Sequence, residues 1–173
     1  QARRYKYSDN SYRLKTQAYR LYLLAKSGRA EMSSMNRFIK QDNLPHIARW
    51  YLAAAYHQAG QPEIASKLIR RLPIRVKDYT ELSYTYGSSI RDEAIILEVL
   101  SQTGRHAKAR QVLENISATL SSDKWLSTQS TGYALMAIGT YVQHASIDTK
   151  LKFNLEGGRS NETITSRKLL WQR

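Results

Sequence analysis

Four histidines, a Ser-Thr-Gln run, an Arg-Asp-Glu triplet and an abundance of tyrosine are the features of this chain whose side chains could do chemistry. His46, His57, His106 and His144 could each ligate a metal or move a proton, but no His-x-x-x-His pair sets two of them on one helix face. Without any cysteine there is no thiolate to complete a zinc site, no disulfide and no thiol nucleophile. The histidines are therefore expected as surface or partly packed imidazoles, and no metal or other cofactor is assigned. Ser127, Thr128 and Gln129 place two hydroxyls beside an amide, which supports acyl chemistry only when a base activates one of them. Neither a Gly-x-Ser-x-Gly elbow nor a placed histidine accompanies them, so helix capping is the simpler reading. Asp92 and Glu93 follow Arg91 just inside a helix start, where carboxylates interact favourably with the helix dipole; general acid/base work is the competing role. Of the 12 tyrosines, Tyr19, Tyr22, Tyr51 and Tyr56 fall at helical packing intervals. They read first as core or groove residues with hydroxyls at the rim, and second as a ligand-binding stripe. No residue is assigned to catalysis, and the chain is not expected to be an enzyme.

The elements that must position these residues are helical hairpins. Residues 11 to 27, with Ala18, Leu21, Tyr22 and Ala25 on one stripe, and residues 29 to 40, with Met32, Met35 and Ile39, flank Gly28. Residues 45 to 59 and 62 to 72 flank Gly60, with Pro62 in a first helical turn where its missing amide costs little. Residues 88 to 103 and 106 to 121 flank Gly104, the second of these facing inward through Ala109, Val112, Leu113, Ile116 and Leu120. A glycine at each junction suits a helix end that needs positive φ. A small residue follows five positions after each glycine, at Ser33, Ala65 and Ala109, and is expected to allow close helix contact. The long connection LPIRVKDYTELSYTYG, residues 72 to 87, breaks the spacing, which a regular solenoid would not do.

A seventh helix follows. In WLSTQSTGYALMAIGTY, residues 125 to 141, Ser127 or Thr128 can cap the helix start, and Ala134, Ala137, Ile138 and Tyr141 then recur on one face that is small at its beginning and bulky at its end. After about residue 146 the period changes: LKFNLEGG alternates as a strand does, and Glu162 to Trp171 form a second candidate strand beyond a loop marked by Gly157, Gly158 and Asn161.

The residue 125 to 141 stretch resembles the late helix of the thioester domain in alpha-2-macroglobulin and complement proteins, whose pattern there is Ser-Thr-Gln-x-Thr, then Ala-Leu-x-Ala and a Tyr. Its counterparts here are Ser127, Thr128, Gln129, Thr131, Ala134, Leu135, Ala137 and Tyr141, with Trp125 just ahead. Residues 85 to 100, TYGSSIRDEAIILEVL, and 17 to 38, QAYRLYLLAKSGRAEMSSMNRF, are similar to corresponding segments of bacterial members. The resemblance implies an all-α fold, a partial α/α-toroid of helical hairpins over residues 1–147, with residues 148–173 as the first strands of a following β domain. It implies a non-enzymatic scaffold segment of a protease trap in the periplasm or cell envelope, whose partners are the other domains of the parent and, through it, proteases. The family's Cys-x-Glu-Gln thioester lies upstream of the matched segments, so no catalytic residue is carried over. A tetratricopeptide-like interaction module, suggested by WYLAAAYHQAGQPEIASKLI, and a hydrolase or lyase on an α/α-toroid are the alternatives.

Length and composition bound these readings. A chain of 173 residues with 42% hydrophobic content can bury a sizeable core, and no apolar run is long enough for a membrane span or a signal-peptide core. The net charge of +13 points towards anionic partners, and nucleic acid is the first to consider. Yet Arg13, Lys15, Arg20, Lys26, Arg29, Arg37 and Lys40 are spread along helices, and the denser Arg70, Arg71, Arg75 and Lys77 group has neither a phosphate loop nor aromatic flanks. No specific nucleic-acid partner is expected. DNA binding measured by fluorescence anisotropy should be weak, independent of sequence and steeply lost with added salt. Tight binding to one sequence at physiological salt would contradict this.

Overall fold

Three helices of this chain end in the same way, and that repeat sets the architecture. The computed structural model describes residues 11–81 and 87–145, with the backbone of 152–157 and 160–165. Its helices are α1 (Ser11–Lys26), α2 (Met32–Phe38), α3 (His46–Gln58), α4 (Pro62–Ile69), α5 (Ser89–Gln102), α6 (His106–Leu120) and α7 (Thr128–His144). Helices α1, α3 and α5 stop at Gly28, Gly60 and Gly104, with φ of 75°, 73° and 69°. Beyond each glycine the next amide reaches back to the last turn: Arg29 to the Leu24 carbonyl at 2.8 Å, Gln61 to Tyr56 at 2.8 Å and Arg105 to Leu100 at 2.9 Å. The glycine amides close the inner bond, to Ala25, His57 and Ser101. This double closure satisfies carbonyls that a helix end leaves unpaired, and it needs a left-handed residue, which glycine supplies without a Cβ clash.

The second and third hairpins follow the expected spacing, and the first departs from it. Helices α4 and α6 begin two residues after their glycines, which puts Ala65 and Ala109 in the first turn, fully buried where the paired helices meet. Helix α2 starts two residues later relative to Gly28, at Met32, so the residue equivalent to Ala65 is the fully buried Met35. Ser33 is exposed and makes no close contact of the expected kind; Ser34, at 2% exposure, is the buried serine. Helix α2 is also shorter than the 29 to 40 pattern suggested. Glu31 stands at its N-cap without a side-chain capping bond, so nothing local holds an earlier start.

The odd-numbered helices carry the core. α1 packs along α3, α3 touches α5, and α5 packs along α7, while α4 and α6 lean on α3 and α5. Trp50 to Tyr56 in α3 and Ile90 to Leu97 in α5 are buried without a break, as befits helices covered on all sides. Helix α6 instead buries a single stripe, Ala109, Val112 and Ile116, and presents its other face to water. Beyond α7 the backbone forms β1 (Lys152–Gly157) and β2 (Ser160–Thr165), paired antiparallel with Phe153 opposite Ile164. Gly157 and Asn161, read from sequence as loop, sit in this ladder opposite Ser160 and Glu156. The expected strand residues after Thr165 lie outside the described residues.

Helix α7 seats on α5 through small side chains. Ala134 is fully buried and Ala137 is 4% exposed, whereas Leu135, at 58%, points to solvent. Ala137→Trp should therefore lower stability by about 1–3 kcal/mol through overpacking, and Leu135→Ala by no more than about 0.5 kcal/mol. Urea midpoints of the two variants against the parent check both, and equal midpoints for Ala137→Trp would show that the contact yields.

Candidate functional site

The residues of the 125 to 141 stretch divide between capping, packing and exposure. Ser127 is the N-cap of α7: its Oγ accepts from the Ser130 amide at 3.1 Å, so Thr128 is the first helical residue and not the cap. Ser88 caps α5 in the same way, through the Arg91 amide at 3.3 Å. The buried Oγ atoms of Ser88 and Ser130 share a hydrogen bond of 2.7 Å, which ties the starts of α5 and α7 side by side. Trp125 is 73% exposed, Thr128 and Gln129 are exposed, and Thr131 and Tyr141 are half-buried. Each of the hydrogen bonds of the Ser127 hydroxyl runs to Ser130 in the first turn of α7, a capping arrangement.

The charged triplet at the start of α5 is buried, which helix periodicity alone did not foretell. Arg91, Asp92 and Glu93 are 7%, 4% and 8% exposed. The connection ahead of α5 folds back to cover them: Ser89 donates its amide to the Tyr79 carbonyl at 3.0 Å, Glu81 to Gly87 at 2.7 Å, and Thr80 pairs with Ser88. Tyr79 then donates its hydroxyl to Asp92 Oδ2 at 2.7 Å, while Arg91 Nη2 lies 3.6 Å from Oδ1. Three side-chain ends converge on Gly87: a Cβ there would lie 2.9 Å from the Tyr79 hydroxyl, 3.0 Å from Arg91 Nη2 and 3.2 Å from Glu81 Oε2, so they would have to shift to admit one. At the rim, Lys124 and Ser89 both bond to Asp78, holding its carboxyl below the usual range. Glu93 faces another way, towards Asn115 and the Val76 backbone, so the two adjacent acids do not converge.

Four helices open onto one polar pocket beside this triplet. α1 supplies Lys15, Thr16 and Tyr19, α3 supplies Tyr51, α5 supplies Arg91, and α7 supplies Gln129 and Tyr133, around a cavity of about 230 Å³. Tyr19 and Tyr133 share a hydroxyl hydrogen bond of 2.8 Å that bridges the first and last helices. The Tyr19 and Tyr51 rings meet edge to face at 5.3 Å, and Tyr22 flanks Tyr51 at 6.0 Å. Tyr22 donates its hydroxyl to Glu98, which also holds Lys26 at 3.1 Å. Burial pushes the hydroxyls of Tyr22, Tyr51, Tyr79 and Tyr133 well above the ordinary value of 10.0, so they stay protonated at neutral pH and none can act as a base. Burial also opposes the Arg91 cation, but Tyr51 and Asp92 outweigh it and the net shift is upward. The pocket can hold a ligand by donating hydrogen bonds.

Of the sequence candidates, the structure brings Gln129, Tyr19 and Tyr51 to one place and leaves the histidines apart. Among the described residues no group of His, Asp and Glu could hold a metal ion, and no helix is long and apolar enough to cross a membrane. His144 Nδ1 engages its own helix, at the Thr140 carbonyl, 2.9 Å away. Arg70, Arg71, Arg75 and Lys77 are exposed along the end of α4 and the connection after it. The chain matches no family model, and comparisons with characterised proteins and with solved structures found no match.

The buried acid gives a pH prediction. Burial raises the Asp92 pKa above the ordinary 3.8, more than the Tyr79 hydrogen bond and the Arg91 and Lys15 charges lower it. A carboxyl raised on folding contributes its full stability below the unfolded pKa and loses it as pH climbs through the raised folded value. Asp92→Asn removes this dependence. As pH rises from about 4 through the mildly acidic range, wild type should therefore lose stability relative to the variant, whatever their absolute difference. Urea midpoints at a series of pH values test it, and the opposite slope would mean that Asp92 is held ionised.

Proposed function

We propose that this chain is a non-enzymatic scaffold segment, the later part of an α/α-toroid, from a bacterial alpha-2-macroglobulin-like protease trap of the cell envelope. The observation that carries the reading is the seating of α7: a Ser127 cap, then Ala134 and Ala137 buried against α5, at the positions where the resembling helix has its small residues. Hairpins stacked through their odd-numbered helices suit a segment of a toroid, and the exposed Leu135, Met136 and Val142 on α7 suit an edge that meets further hairpins or another domain of the parent. The β1–β2 ribbon would then open the following β domain. A hydrolase or lyase is disfavoured because Asp92 and Glu93 diverge and the pocket tyrosines are held protonated. A tetratricopeptide array is disfavoured by the connection that folds back on α5.

In this reading trapping is a property of the parent, since it needs a bait region and closure across many domains. The purified chain, incubated with trypsin, should leave cleavage of a large protein substrate unchanged, and should show weak, concentration-dependent self-association in sedimentation that Met136→Lys reduces. Stoichiometric protection of the substrate would place inhibition in this segment and end the scaffold reading.

A further inference from the structure

We propose that the connection after α4, with the pocket it forms against the starts of α1 and α3, docks an extended acidic segment of another protein. Burial alternates along this connection: Leu72, Ile74 and Val76 are half-buried, and Pro73, Arg75 and Lys77 are exposed, the period of an extended chain. Yet residues 73–78 make no backbone–backbone hydrogen bond with any described residue. The Val76 amide is taken by Glu93. Neighbouring amides of an extended chain point to opposite edges, so those of Arg75 and Lys77 face away from Glu93. A second extended chain can pair with such an edge as a strand adds to a sheet.

Charge sets the character of that chain. Arg75 and Lys77 line the pocket together with Lys15, and neither Arg75 nor Lys77 makes an ion pair or a hydrogen bond with any described residue. The acids at this end are already engaged. Asp92, which also lines the pocket, accepts from Tyr79 and stands by Arg91, while Glu81 gathers with Arg91 beside Gly87. Asp78 holds Lys124, and Glu93 meets Asn115 and Val76. Lys15 feels the Asp92 charge, which leaves Arg75 and Lys77 as the cations that a partner's carboxylates would meet. Apolar Pro45, Ile47, Pro73 and Ile96 line the cavity of about 230 Å³, several times the roughly 30 Å³ share of a water molecule, so an aliphatic side chain of the partner fits between its acids. Trp50 lines it too; it is 1% exposed, and its indole N–H has no hydrogen-bond partner among the described residues. Buried donors ordinarily find an acceptor, which a peptide carbonyl in the pocket would supply. A polyanion without apolar side chains, such as duplex DNA, would use the cations and leave the cavity unfilled.

The test titrates the full chain into a dye-labelled, end-blocked peptide, Glu-Asp-Glu-Leu-Glu-Asp-Glu, and follows fluorescence anisotropy. Its Gln/Asn counterpart, a version N-methylated at alternate residues, and duplex DNA are the comparisons. Saturable binding of the acidic peptide that persists at physiological salt is expected, with the neutral and the N-methylated peptides both weaker. Arg75→Glu with Lys77→Glu should weaken it at least about tenfold, and the milder Arg75→Gln with Lys77→Gln should fall between that and wild type. Arg29→Glu with Lys108→Glu makes the same charge change at the glycine-turn end of the hairpins and should weaken it less than about threefold. Far-UV circular dichroism of these exposed-site variants should match wild type. Equal binding of the neutral peptide, indifference to N-methylation, DNA binding as tight as the peptide, or equal loss in the two glutamate double variants would each overturn the assignment. The proposal does not rest on the scaffold reading, because no trapping activity enters its test.

Discussion

Burial of three consecutive charges in the first turn of α5 is the constraint around which the rest of this molecule is arranged. Ionised groups removed from water are tolerated only when paired and hydrogen-bonded. Arg91 and Asp92 are adjacent in sequence and offset one another at 3.6 Å, but neither is satisfied by that contact alone. The connection after α4 folds back and delivers Tyr79 to Asp92, and Gly87, without a side chain, leaves room for the Tyr79, Arg91 and Glu81 side-chain ends to gather beside it. Tyr51 and Tyr133 line one pocket with Arg91. The fold-back, the glycine and the tyrosine cluster are thus parts of one solution, and polar chemistry collects at this end of the helices for that reason.

Local signals in the sequence gave a sound account of local structure. A glycine between two helical periods predicts a left-handed helix end because no other residue takes that conformation cheaply, and Gly28, Gly60 and Gly104 all adopt it. The cap at Ser127 and the burial of Ala134 and Ala137 were legible for the same reason, since each depends on residues within two turns. The start of α2 was not. The chain after Gly28 spends two more residues before the helix begins, and no capping side chain records that choice in the sequence.

The candidate site was mostly illegible because its contacts are remote. Tyr19 meets Tyr133 across 114 positions, and Tyr22 reaches Glu98 across 76. Helical spacing correctly put Tyr19, Tyr22 and Tyr51 on packing faces, but it carries no information about which helix lies opposite. Arg91, Asp92 and Glu93 read as a helix start whose carboxylates meet the dipole, a local reading that carries no information about what covers them. A signal was present in the residues that follow: Ala94 to Leu97 is apolar all round, which marks a helix covered on every side, its first turn included.

The bond between Tyr19 and Tyr133 has a kinetic side. Each glycine-turned hairpin is a short-range unit whose contacts lie within a few turns of one another, so its formation closes only a small loop. Joining α1 to α7 closes almost the whole described chain, and the entropy of that closure is recovered only once the intervening hairpins have stacked. The tyrosine bridge therefore belongs among the last native contacts to form and the first to open. Of the contacts joining the helices, this one is the cheapest to lose, because the α3–α5 centre does not depend on it.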